Sequence, residues 1–183
     1  MKFDKILDNN TLWAIRKDDA DDNVLQQIFQ QWSDPEWLVN FFMENMSDLE
    51  SYFMITDINQ AIYDTIEDSE RIQCLILDIS PNADLDKIFR PLNNSRTSEM
   101  LLGMEKARIK ERQNHASWLR LYAIKLEPGC YIITGGAIKL TRTMQERQHT
   151  LHELNVMESV RNFLINEGAI DADGLVDYLA ELE

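Results

Sequence analysis

Trp118–Leu140 reads WLRLYAIKLEPGCYIITGGAIKL, and this stretch decides the fold. Trp118–Glu127 alternates, Pro128-Gly129 supplies a turn, and Cys130–Leu140 runs back. Proline followed by glycine favours a type II turn, because glycine accepts the positive φ at the third position. The stretch therefore predicts an antiparallel hairpin. Gly135-Gly136 inside the returning strand predicts a bulge or a close approach by another backbone. On the first strand Arg120 and Tyr122 share a face with Trp118, while Lys125 points the other way. Pairing through the turn brings Lys139 almost opposite Arg120, with Arg142 just beyond. Adjacent cations repel unless an anion lies between them, and a phosphate or an acidic side chain is the natural occupant. Ordinary exposed strand charges paired with local carboxylates are the other reading.

Upstream of the hairpin the pattern is mostly helical. Thr11–Lys17 is a candidate short strand, and the acidic DDADD after it is a loop leading into a helix. Val24, Leu25, Ile28, Phe29 and Trp32 then fall on one helical face. Asp34-Pro35 predicts an N-cap followed by proline at the first helical position. Trp37, Leu38, Phe41, Phe42, Met46 and Leu49 continue behind it as one core-facing stripe. A third helix is expected from Thr56-Asp57 to about Ser80-Pro81. Asn93–Glu99 is a polar linker, and Ser95 or Ser98 would cap a charged helix over Met100–Arg112. Downstream, Thr143–Glu146 predicts a capping box opening a long helix that stops at Gly168. Asp171–Leu182 reads as a short acidic helix.

Charge is sorted along the chain. Residues 1–86 hold 19 acidic and 5 basic residues, residues 87–161 hold 7 and 13, and residues 162–183 hold 6 acidic and no basic ones. The net charge of −14 argues against nonspecific nucleic-acid binding by the whole chain. The central block can nevertheless form a basic face on an acidic molecule. A hydrophobic fraction of 44% supports a folded core. Cys74 and Cys130 make neither a disulfide framework nor a zinc pattern, and are expected as buried or half-buried thiols. No signal peptide or membrane span is read, so the expected location is cytoplasmic.

Other chemistry is sparse. His149 and His152 stand at i, i+3 without an HExxH-like pattern, so no metal is assigned. His115 precedes the hairpin and is a candidate general acid or base, or a solvated loop histidine. No carboxylates stand out as an isolated acid/base pair, and no cofactor is called for.

Three pieces of the sequence resemble the RelE/ParE-type toxin superfamily, in its phage-derived, HigB-like branch. KIFRPL (Lys87–Leu92) resembles the family's Lys/Arg-Pro-Leu element, and WLRLYAI (Trp118–Ile124) its strand with Arg and Tyr. TGGAIKLTRT (Thr134–Thr143) resembles the strand that ends in Gly-Phe-x-Lys-Lys-Thr before a helix. The resemblance covers roughly residues 87–163. It implies an α+β fold, with helices packed on a small twisted antiparallel sheet. The chain would be a single domain over 1–183. An acidic, mainly helical part over 1–86 would precede the RelE-like part over 87–167, and an acidic helix over 168–183 would follow.

The resemblance further implies a toxin of a toxin-antitoxin system that cleaves mRNA, with RNA or the ribosome and an antitoxin protein as partners. Arg120 would then bind the scissile phosphate, Lys139 would stabilise developing charge and His115 would assist proton transfer. Arg142, Lys106, Arg108, Arg112 and Tyr122 would contact RNA. Leu140 stands where the family has its second Lys, and Ala137 replaces an aromatic. These departures keep open a second reading: a catalytically inactive interaction module whose basic face is masked by the acidic flanks. Oligomeric state is not legible.

Overall fold

The computed structural model describes residues 1–77, 84–93, 101–109 and 115–182. Arg112, Ser95 and Ser98 lie outside them, as does the expected end of the third helix at Ser80-Pro81.

The fold is α+β, built on one six-stranded sheet in the order β1-β2-β6-β5-β4-β3. The expected hairpin forms its centre, as β5 (Leu119–Glu127) and β6 (Cys130–Ile138). Gly129 at its turn has φ +80°, the conformation that glycine adopts without a Cβ clash. Tyr122 pairs with Gly135 and Ala123 with Ile133, so Thr134 is the extra residue of a bulge. β1 (Lys2–Lys5) and β2 (Leu12–Arg16) form a second antiparallel pair. β2 runs parallel to β6, so the sheet is mixed. β3 (Phe89–Pro91) and β4 (Gly103–Ala107) complete it, and both junctions are antiparallel.

β4 corrects the helix expected over Met100–Arg112. Glu, Lys, Ala and Arg favour helix intrinsically, but Glu105 and Ala107 alternate with Met104 and Lys106 in burial. That alternation fits a strand slotted between β3 and β5, and the ladder on both sides overrides propensity.

Helices cover both faces. On one, α1 (Val24–Trp32), α2 (Pro35–Glu44), α3 (Met46–Phe53) and α4 (Ile58–Leu77) surround a core with Trp118, Leu119, Leu121 and Ile133. Asn23 closes a capping box with Gln26 at the start of α1, and Asp34 caps α2 ahead of Pro35. The stripe expected as one helix over residues 35–49 breaks at Asn45. The Asn45 side chain donates to the Phe41 carbonyl at 2.8 Å, and its backbone leaves helical geometry at φ −111°, ψ 20°.

On the other face, α5 (Gln148–Asn166) and α6 (Ala172–Ala180) bury Met157, Val160, Leu164 and Leu175 against Tyr122, Ile124 and Ile132. The capping box of Thr143 and Glu146 forms, but it closes a separate 3-10 turn at Met144–Glu146 before α5 begins. Gly168 ends α5 with φ +74°. Asp48 of α3 takes a two-pronged ion pair from Arg147, tying the first helical layer to the start of α5.

Cys130 is buried and its thiol is pushed up to about 12 by burial, whereas Cys74 is exposed rather than half-buried. No helix among the described residues is long and apolar enough to cross a membrane.

Candidate functional site

The sheet face under α5 carries the cations. Lys106 pairs across the ladder with Tyr122, Arg120 pairs with Ala137, and Arg90 pairs with Lys106. Residues directly opposite on antiparallel strands share a face, so Arg90, Lys106 and Arg120 project together. Arg108 follows β4 beside Arg120, and Lys139 follows β6 two positions beyond Ala137. Placing Lys106 on a strand rather than a helix brings it into this group.

These cations are held by main-chain oxygens. Arg120 Nη1 donates to the Ser117 and Leu119 carbonyls, both at 2.7 Å. Lys139 Nζ donates to the Thr141 and Arg142 carbonyls at 2.6 Å, and Lys106 Nζ to the Leu92 carbonyl at 2.9 Å. Among the described residues none of the three forms an ion pair with a carboxylate. Burial lowers Arg120 to about 10, with Arg108 adding repulsion. Burial also lowers Lys139 to about 8, with Arg120 and then Lys106 contributing. Lys106 is lowered for the same reasons, through burial, Arg120 and Arg108. A partly buried cluster of like charges is stabilised by an anion that satisfies several donors at once.

The remaining expected site residues are placed differently. Arg142 is exposed, and only its carbonyl joins the cluster. Tyr122 is fully buried under α5, with its hydroxyl lacking a hydrogen-bond partner among the described residues, so its ring offers no surface for a base to stack on. His115 sits in the N-terminal helical layer. Its Nε2 lies 2.8 Å from Asp64 Oδ2, its Nδ1 2.9 Å from the Ala116 carbonyl, and its ring stacks on Trp118. No His/Cys/Asp/Glu group that could hold a metal occurs among the described residues.

A second polar group was not legible beforehand. On the opposite face of the sheet, Lys125 pairs with Asp86 at 2.8 Å, and Tyr131 donates to the same carboxylate. Burial opposes ionisation of Asp86, but hydrogen bonds from Lys125, Tyr131 and the Gly129 N–H bring it below its ordinary value. Nearby Glu105 is pushed up to about 6, mainly by burial. The sequence signal was only that Lys125 points away from Arg120. Its partners come from strand pairings that cannot be read locally.

The N-terminal helices pack on the face opposite the Arg120 cluster. No family model, curated protein or solved structure matches the chain.

Proposed function

We propose that this chain is a RelE/HigB-like, toxin-type protein that binds RNA through the face bearing Lys106, Arg108, Arg120 and Lys139. The supporting observation is the cluster itself: three partly buried cations share one sheet face, repel one another and hold main-chain carbonyls instead of carboxylates. A phosphate would complete them. Arg120 stays charged at neutral pH and neutralises the phosphate. Lys139, at about 8, can exchange a proton near neutrality. Cleavage would join the RNA 2′-oxygen to phosphorus and release the 5′-oxygen. The proton lost by the 2′-hydroxyl is balanced by one given to the leaving oxygen, leaving a 2′,3′-cyclic phosphate and a 5′-hydroxyl. Lys139 would carry that proton transfer.

The test uses the full chain with single-stranded RNA across a salt series. Three to four phosphate contacts give a log–log slope of about −2 to −3, and Lys139→Met or Arg108→Ala each reduce it by about 0.7. Growth arrest on induced expression and a cyclic-phosphate product, both lost in Lys139→Met and Arg120→Ala, mark the enzyme. Salt-dependent binding without cleavage marks the inactive interaction module. Absence of RNA binding removes the toxin reading and leaves only an interaction module with a masked face.

A further inference from the structure

β2 and β6 are the one parallel pair among the described strands, and the helices that follow them leave to opposite faces. α1, after β2, packs with Leu119, Leu121 and Ile133. α5, after β6, packs with Tyr122, Ile124 and Ile132. Where two neighbouring parallel strands send their connections to opposite sides, a crevice opens outside the carboxyl end, and ligands of open sheets lodge there. Pairing of β2 with β6 stops at Ala14 and Ile133, although β2 runs on to Arg16 and β6 to Ile138. Among the described residues the edge of β6 beyond Ile133 therefore lacks a strand partner on that side.

A cavity of about 190 Å³ lies at this opening. Thr134 and Gly136 of β6 line it, with Gln27 and Gln31 from α1, Lys17 from the end of β2 and Glu153 from α5. Ile28 and Val156 supply apolar wall. Its volume is below the roughly 300 Å³ at which drug-sized pockets begin, so the occupant is small.

The lining defines the chemistry. Burial raises the Glu153 carboxyl to about 7, against the Gly136 N–H that it accepts and the exposed Lys17, both of which favour its ionised form. Glu153 and Lys17 do not form an ion pair with each other. At neutral pH Glu153 is close to half ionised, and an ammonium against it would favour the carboxylate. That carboxylate and Lys17, apart across the crevice, suit a molecule that carries both charges and a short aliphatic group. We infer that the crevice between β2, β6, α1 and α5 binds a small zwitterion of the α-amino-acid class. Its ammonium would meet Glu153 and its carboxylate Lys17. The side chain would lie on Ile28 and Val156, and the Gln27 and Gln31 amides can serve either charged end. This site is separate from the cation face and stands whether or not that face binds RNA.

The probes are L-valine, isobutylamine and isobutyrate, each titrated at neutral pH into the ¹⁵N-labelled full chain. L-Valine should give saturable shifts of the Thr134 and Gly136 amides at millimolar concentration. Glu153→Gln and Lys17→Ala should each weaken it about tenfold, the loss of one charge-assisted contact. The amide oxygen introduced by Glu153→Gln still accepts the Gly136 N–H, and Lys17 is exposed, so both variants keep the fold. Isobutylamine should respond to Glu153→Gln alone and isobutyrate to Lys17→Ala alone. Absence of a saturable shift with valine overturns the site. Valine binding that is indifferent to either substitution overturns the zwitterion assignment.

Discussion

A Cβ added to Gly135 would lie 1.7 Å from Oε2 of Glu153 and 2.9 Å from its Cδ. Gly135 has no positive φ, so its requirement is space and not conformation. The carboxylate of Glu153 on α5 crosses the β6 bulge over Gly135, where a side chain is absent, and takes the Gly136 N–H. Gly135→Ala forces that carboxylate aside and should cost about 1–3 kcal/mol in urea unfolding. Combined with Glu153→Ala, which empties the space, the added cost of Gly135→Ala should fall below about 1 kcal/mol. A double-mutant cycle measures this, and additive losses would contradict the geometry.

The same carboxylate sets a pH dependence. Glu153 is raised from 4.5 to about 7, chiefly by burial and against the Gly136 N–H and Lys17. A folded-state pKa above the unfolded one means that the folded protein binds the extra proton. Its contribution is fully present below about pH 4.5 and is lost as pH rises through 7. Glu105, at about 6, acts in the same direction. Wild type should therefore lose stability relative to Glu153→Gln between pH 5 and 8, by an amount on the order of 2 kcal/mol. Thermal melts of the two proteins across that range check it. A pH-independent difference would place Glu153 in water.

What the sequence revealed followed the range of the interactions. The hairpin, the Asp34-Pro35 helix start and the Gly168 stop were legible because each is decided by residues a few positions apart. The charged segment around Lys106 was not. Its residues favour helix, and only β3 and β5 on either side make it a strand. Asn45 split an unbroken apolar stripe through one side-chain hydrogen bond that periodicity does not register. Lys139 and Arg120 could be brought near one another from the turn, but Arg120 stands opposite Ala137, the residue that a two-residue turn at 128–129 pairs with it, so Lys139 lies diagonal to it. The Glu153 crevice was invisible, because it depends on the parallel meeting of β2 and β6, more than a hundred residues apart.

His115 offers a test between chemistry and architecture. It stacks on Trp118 with ring centroids 4.5 Å apart and an interplanar angle of 2°, and Phe53 meets it edge-on. Trp118 in turn donates to Thr65, so this group joins α4 to the start of β5. His115→Ala removes the stacking face and the contact to Asp64, and should cost about 1–3 kcal/mol. Tryptophan-monitored unfolding measures that loss. His115→Gln, which retains a donor toward Asp64, should recover part of it. A proton-transfer role would show the reverse pattern: RNA cleavage abolished by either substitution at unchanged stability.

Lys139 carries the corresponding test for the cation face. Its folded-state value of about 8 lies below the ordinary 10.5, owing to burial and then to Arg120 and Lys106. Between those values the unfolded chain holds the proton that the folded chain has released. Stability therefore rises with pH across that window, as deprotonation relieves the repulsion. Lys139→Met keeps the length of the side chain and removes the titration. The stability of wild type relative to this variant should increase between pH 8 and 10. Saturating inorganic phosphate or RNA, by satisfying the cluster, should flatten the increase and move it to higher pH, because a bound anion favours the charged ammonium. An increase unaffected by either anion would assign the depression of Lys139 to burial alone and leave the face without an anion to hold.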